Sequence, residues 1–180
     1  MLAYKGFDKG LKCRGYQFKP FEENVCAEAH CARRGFHAAE NPLDTFTYYR
    51  DTDSSEYWLV KCEGDIHEDG NDSKISCTSL TPIRPLSLKE MAAAALLYIQ
   101  KYPNRHFTGV SDSYETTEFK LLKSSNPILK GKKGQCLGFA KKKGNVVENI
   151  GIIFIDGEIF KEDVFYNIEG NEVKKNGELL

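Results

Sequence analysis

Residues 2–18 read Leu2-Ala3-Tyr4-Lys5-Gly6-Phe7-Asp8-Lys9-Gly10-Leu11-Lys12-Cys13-Arg14-Gly15-Tyr16-Gln17-Phe18. Two aromatic-rich runs, Leu2 to Phe7 and Lys12 to Phe18, flank Asp8-Lys9-Gly10, which has the turn chemistry of a tight hairpin. Alternation along the first run sets Tyr4 and Gly6 on one face and Ala3, Lys5 and Phe7 on the other. One face of this N-terminal β-hairpin is therefore expected to be buried while Lys5, Lys12 and Arg14 stay reachable.

Beyond Pro20, the residues Phe21, Val25, Cys26, Ala29 and Ala32 recur near helical spacing until Gly35, which predicts a helix with a glycine C-cap. Phe36 to Ala39 reads as a short strand. Asn41 then supplies an N-cap, Pro42 a first helical position and Asp44 an acid in the first turn, so a second short helix covers Leu43, Phe46 and Tyr49. Tyr57 to Cys62 and Ile75 to Ile83 alternate as strands around an acidic loop from Gly64 to Asn71. Pro82 and Pro85 close the segment.

Ser87-Leu88-Lys89-Glu90 is a capping box ahead of an alanine-rich helix from Met91 to Tyr102, which Pro103 stops. From Phe107 to Asn126 the periodicity is weak and a linker or irregular strands are expected; regular structure resumes at Gln135. Cys136 to Ala140, Val146 to Ile155, Val164 to Ile168 and Glu172 to Lys175 form a C-terminal β-meander, with Asp156-Gly157 as a hairpin signal. The class is α+β: the hairpin and helices pack on a mostly antiparallel sheet. The expected division is an α+β domain over 1–103, a linker over 104–134 and the small meander over 135–180.

The 180 residues, 41% apolar and 28% charged, exclude collagen-like and wholly disordered chains. The longest apolar run, Met91 to Ile99, is far shorter than a membrane span, and the N-terminus has no signal-peptide core, so a cytoplasmic location without membrane contact is expected. Six cysteines without a C-x-x-C pair read mostly as small buried hydrophobes with reduced thiols. Net charge is only −1, yet the charge is segregated. Five basic residues against Asp8 lie before Pro20, eight acids against Lys61 lie between Asp51 and Asp72, and eight lysines with no acid lie between Phe119 and Val147.

Three groups of residues carry chemistry. Lys5, Lys9, Lys12, Arg14 and Lys19, interleaved with Tyr16 and its aromatic neighbours, suit phosphate contact and base stacking. Lys130, Lys132, Lys133, Lys141, Lys142 and Lys143 form a second basic patch. His37 near Glu40 is the candidate general base for a ribose hydroxyl or a nucleotide. Cys26, His30, Cys31 and His37 reproduce no zinc module, and no metal or cofactor is expected. Asp65, Glu68, Asp69 and Asp72 around His67 lack calcium-loop spacing and read as a solvated acidic loop. No phosphate-binding loop, nucleophile elbow or H-E-x-x-H pair is present.

Tyr4-Lys5-Gly6-Phe7, Cys13-Arg14-Gly15, Gly35-Phe36-His37-Ala38, Asn41-Pro42-Leu43-Asp44 with Tyr48-Tyr49, and Asp72-Ser73-Lys74 together resemble an uncharacterised domain carried by phages and mobile elements of gut and oral bacteria. The tail from Asp156-Gly157-Glu158 through Lys161, Asp163 and Tyr166 resembles the C-terminal segment of the same proteins. A small mobile-element protein with a basic hairpin is similar in kind to type II-A anti-CRISPR inhibitors. That resemblance implies a type II CRISPR effector nuclease and its guide RNA as partners, with the hairpin displacing, distorting or promoting cleavage of the guide. The alternative is an enzyme: Tyr4-Lys5-Gly6, Gly35-Phe36-His37 and Tyr48-Tyr49 are similar to the layout that frames the nicotinamide pocket of ADP-ribosyltransferases. Glu40, Glu56 and Glu63 are the candidates for its glutamate.

Overall fold

The structure is a computed structural model. It describes residues 1–68, 70, 72–103 and 112–180, which form two compact units, Met1–Ser87 and a second beginning at Leu88. Both mix helix with mostly antiparallel strands, so the α+β class holds.

In the first unit, β1 (Leu2–Asp8), β2 (Lys12–Cys13) and β3 (Tyr16–Gln17) follow one another. The predicted turn at Asp8-Lys9-Gly10 joins β1 to β2 by a single pairing, Asp8 with Lys12. A tighter turn follows it. Arg14 and Gly15 have φ of 48° and 82°, the pair of positive values a type I′ turn requires, and Cys13 pairs with Tyr16 across them. The chain continues through β4 (Asn24–Val25), β5 (Phe36–Ala39), α1 (Pro42–Tyr48), β6 (Ser55–Glu68) and β7 (Lys74–Leu86). β1 runs antiparallel to β6 along its whole length, from Leu2 opposite Lys61 to Asp8 opposite Ser55. β6 pairs β7, β7 pairs β5, and β5 returns to β1 through Tyr4 and Ala39, so the four strands close into a ring. Register shifts after Leu59 and Glu63 let the long β6 bend around it.

Inside lie Ala3, Phe7, Phe18, Phe36, Val60, Ile75 and Leu80. Phe7, Phe18 and Phe36 meet edge-on at centroid distances of 5.1 and 4.9 Å. Each such contact adds about 0.5–1.5 kcal/mol beyond the apolar area it buries. The alternation predicted for β1 is present and carries a consequence for Lys5: it shares the inward face with Ala3 and Phe7 and is 4% exposed. The expectation that Lys5 stays reachable is corrected.

The helix expected between Phe21 and Gly35 does not form. Phe21 and Val25, its apolar markers, are 68% and 64% exposed, and Phe21 and Ala32 have φ of 63° and 65°, outside helical geometry. Asn24 and Ala29 are buried, and the Asn24 side-chain amide donates to the carbonyls of Lys19, Glu22 and Leu80 while its oxygen accepts from the Lys19 N–H. These local bonds outcompete helical ones, and the N–H groups of Phe21 and Cys26 pair instead with Pro82 and Thr78 of β7. The chain covers a sheet edge rather than coiling. Gly35 has φ of 90°, leading into β5 rather than capping a helix.

The second predicted helix forms as α1, with the Asn41 side chain accepting from Leu43 N–H and Pro42 opening the helix. Asp44 is buried, and its Oδ2 accepts from both the N–H and the hydroxyl of Ser73, at 2.9 and 2.5 Å. The acidic stretch is largely strand rather than loop, because β6 extends through Asp65, His67 and Glu68; Asp69 and Asn71 lie outside the described residues.

The second unit opens with α2 (Leu88–Lys101), whose buried stripe is Leu88, Met91, Ala92, Ala95, Leu96 and Ile99. It packs on a four-stranded sheet of β8 (Ser113–Glu115), β9 (Phe119–Ser124), β10 (Cys136–Lys143) and β11 (Val146–Phe154). Regular structure thus begins well before Gln135: β9 has the buried-to-intermediate alternation of a half-buried strand and lies parallel to β10. The remainder of the expected linker, residues 104–111, lies outside the described residues. The hairpin expected at Asp156-Gly157 is replaced by a side-chain cap, in which Asp156 Oδ1 accepts from the N–H groups of Glu158, Ile159 and Phe160. β12 (Phe165–Tyr166) and β13 (Glu172–Val173) then pair as a separate two-stranded sheet. Tyr166 is buried with Leu137, Phe139, Ile153 and Ile155.

Candidate functional site

The first unit holds a cavity of about 570 Å³ between β1, the β2–β3 turn, β5 and the end of α1. That volume lies within the range of ordinary small-molecule sites. Its walls include Tyr4, Tyr16, Phe18, Phe36, Tyr48 and Tyr49, and its cations are Lys5, Arg14, Arg33, Arg34 and Lys74. Among the described residues no Asp or Glu lines it. Arg14 and Arg33 are exposed and make no ion pair with a described acid, whereas Arg34 is bridged to Glu28. Thr45 lines the wall with its hydroxyl shielded from solvent and without a hydrogen-bond partner among the described residues.

Two networks hold the walls. The Tyr48 hydroxyl donates to Asp72 Oδ2 at 2.8 Å and accepts from Lys74 Nζ at 2.9 Å. Burial, before either partner, holds the Tyr48 hydroxyl above the usual phenol range. Tyr57 donates to the Tyr49 carbonyl at 2.6 Å, and Tyr49 donates to Cys13 Sγ at 3.0 Å. Lys5 Nζ donates to the His37 carbonyl at 2.7 Å and lies 3.7 Å from Cys13 Sγ, with the Phe7 and Phe18 ring centroids 5.1 and 5.5 Å away. Desolvation depresses its pKa below the ordinary lysine value, partly offset by Cys13.

The hairpin cations separate into two sets. Lys9, Lys12, Arg14 and Lys19 are exposed; Lys9 reaches the Ser55 carbonyl at 3.4 Å and Lys19 stands 3.8 Å from Glu22. Tyr16 packs on Phe18 and Phe36 with part of its ring open. His37 lines the cavity, but its Nε2 accepts the Ala32 N–H at 3.1 Å, so that lone pair is engaged. Glu40, Glu56 and Glu63 lie outside the lining; Glu56 accepts from Gly10 N–H and Glu63 pairs with Lys61. The second basic patch is partly neutralised within its own unit. Lys132 pairs with Asp163 at 2.6 Å and Lys142 with Asp112 at 3.1 Å, while Lys130 lies over the Phe165 ring; Lys133 and Lys143 are exposed and Lys141 half-buried.

Sequence reading missed Arg33, Arg34, Thr45 and Lys74 as partners of one cavity. Their separation along the chain hides them; only the pairing of β5 with both β1 and β7 brings them together.

The residues that build the cavity, from Tyr4 to Lys74, fall inside one family match, to a domain of unknown function (DUF7666) over residues 1–94. This chain belongs to the DUF7666 family. The match covers just over half of the chain and takes in the whole of the Met1–Ser87 unit. No curated protein and no solved structure matches the chain. Among the described residues no helix is long and apolar enough to cross a membrane, and no cluster of His, Cys, Asp or Glu is arranged to hold a metal ion.

Proposed function

We propose that the Met1–Ser87 unit binds a nucleotide, with a pyridine dinucleotide of the ADP-ribosyl type as the ligand. The observation that carries this reading is the convergence of Tyr4-Lys5-Gly6, Gly35-Phe36-His37 and Tyr48-Tyr49 on one cavity. Aromatic walls suit a flat heterocycle, and the guanidinium groups of Arg14 and Arg33, without an acidic partner among the described residues, suit phosphate. The absence of a lining carboxylate among the described residues removes the like-charge repulsion that would oppose a phosphate. These features support recognition of the ligand; a transfer step would draw its acid from outside the described lining.

Calorimetric titration with NAD⁺, ATP and AMP tests the reading. Saturable binding of one of them, weakened by reversing Arg14 and Arg33, is expected; no heat with any of the three overturns it.

A second reading rests on the hairpin edge, which shares Arg14 and Tyr16 with the cavity. Exposed Lys9, Lys12, Arg14, Tyr16 and Lys19 line the hairpin edge and supply the charge and stacking that single-stranded RNA needs. On it, the protein inhibits a type II CRISPR effector nuclease by engaging its guide RNA. Target cleavage by the guide-loaded nuclease, with the guide followed on a denaturing gel, is the test. Full cleavage in the presence of the protein eliminates this reading. Loss of cleavage with NAD⁺-dependent mass addition to the nuclease assigns the inhibition to the first.

A further inference from the structure

Three of the cysteines, Cys13, Cys26 and Cys31, are half-buried, and none of them forms a disulfide. Their hydrogen bonding differs in direction. Cys26 Sγ lies 3.6 Å from the carbonyls of Glu28, Cys77 and Thr78, one of which takes its single S–H, and Cys31 Sγ donates to the carbonyl of Lys74. A thiol that donates is stabilised in its protonated, unreactive form. Cys13 has the opposite surroundings: its sulfur receives the Tyr49 hydroxyl at 3.0 Å and the Lys5 ammonium at 3.7 Å. Both groups aimed at this sulfur are donors, and the thiolate of a cysteine is its nucleophilic form.

Where that sulfur sits selects its reaction partner. Cys13 lines the 570 Å³ cavity, whose exposed cations Arg14 and Arg33 have no acidic partner among the described residues. Thr45, in the same lining, keeps a buried hydroxyl without a partner among the described residues, a polar group left over for an incoming molecule. The cavity therefore draws in small anions and places them beside this sulfur.

We propose that Cys13 is a site of S-thiolation by a low-molecular-weight disulfide that bears carboxylates, and that the adduct blocks the cavity. The Cys13 thiolate attacks one sulfur of the disulfide; a new S–S bond forms, the old one breaks, and the departing thiolate leaves with the electron pair and takes a proton from solvent. Reversal needs only a thiol of the same class. The inference stands on the geometry of the cavity and holds whichever ligand normally fills it.

The test uses the full chain with oxidised glutathione at neutral pH, following intact mass and mapping adducts by peptide. Cys13 is expected to acquire one glutathionyl group at least about tenfold faster than Cys26 or Cys31. Tyr49→Phe, which keeps the ring and removes the donor, is expected to slow Cys13 about 3- to 10-fold and leave Cys26 unchanged. Lys5→Met is expected to slow it further, with circular dichroism checking the fold. A neutral disulfide, bis(2-hydroxyethyl) disulfide, is expected to react more slowly at Cys13, and Arg14→Gln to narrow that gap. Equal rates at the three cysteines, or an unaltered rate in Tyr49→Phe, overturns the reactive thiol; equal rates with the two disulfides overturns the anionic partner. If NAD⁺, ATP and AMP fail to bind but Cys13 reacts selectively, the nucleotide reading falls and this one stands.

Discussion

The Tyr49 ring lies directly against the backbone of Gly6: a Cβ built at Gly6 would come within 2.3 Å of Tyr49 Cδ2 and 2.8 Å of its Cβ. The contact joins the end of α1 to β1 and forms one corner of the cavity. It requires a residue without a side chain, because the ring has no space into which to withdraw while its hydroxyl reaches Cys13 and its carbonyl accepts from Tyr57. Gly6→Ala is expected to destabilise the unit by about 1–3 kcal/mol, the usual cost of overpacking. Chemical denaturation measures it, and a loss of ligand binding larger than the loss of folded protein would show the ring displaced into the cavity.

Lys5 sets an alkaline pH dependence. Its folded-state pKa is depressed by burial, so between that value and the ordinary lysine value of about 10.4 the unfolded chain binds more protons than the folded one. Stability from this group therefore rises with pH across that window, and the burial cost is fully present only below the depressed value. Replacing Lys5 with Met removes the cost. The difference in thermal midpoint between Lys5→Met and wild type is expected to favour the variant most at pH 7 and to shrink as pH approaches 10. A difference that stays flat would mean that the ammonium is not desolvated.

Asp44 ties α1 to the start of β7 through Ser73. Asp44→Ala strands a buried N–H and a buried hydroxyl and is expected to cost about 1–3 kcal/mol for each group left unsatisfied. Asp44→Asn keeps an acceptor and should cost less. Urea unfolding of the two variants separates them, and equal midpoints would show that the carboxylate is dispensable.

Neither Arg14 nor Arg33 has a described acidic partner to lose, so their reversal tests the proposed nucleotide site and not the fold. The double reversal Arg14→Glu, Arg33→Glu is expected to weaken nucleotide binding at least about tenfold and to leave the thermal midpoint within a degree or two. Raising salt should weaken wild-type binding and have less effect on the variant.

In the second unit, Asp156 holds its turn by accepting three backbone N–H bonds, and those bonds lower its pKa. Its contribution is present above the ordinary carboxylate value of about 3.9 and is lost as pH falls through the depressed one. Asp156→Ala should lower the midpoint at pH 7 and converge with wild type in strong acid. Amide exchange at Glu158, Ile159 and Phe160 reports the same loss locally.

Elements with local causes were legible in the sequence. Asn41-Pro42 and Asp44 start α1 through bonds within a few residues, and the apolar spacing from Met91 onward makes α2 amphipathic without help from elsewhere. The strands β1, β6 and β7 follow from alternation, and β5, β10 and β11 from short apolar runs bounded by turn residues. Where the reading failed, a distant partner decided. The apolar spacing from Phe21 to Ala32 imitates a helix, but the open edge of β7 and the bonding of Asn24 claim that backbone first. Lys5 was read as a surface cation because charge is usually solvated, although its alternation with Ala3 and Phe7 already assigned it to the inner face.

Sequence alone determined part of the site: the aromatic and basic residues of the hairpin and the Asn-Pro helix start. It determined these because each depends on short-range backbone preference or on residue chemistry. The tertiary structure decided which cations stay in solvent, that Tyr49 closes on Gly6, and that Cys13 receives two donors while Cys26 and Cys31 give theirs away. These follow from strand pairings between residues tens of positions apart, such as β1 with β6, whose register is set by the burial of a shared core and not by any local pattern.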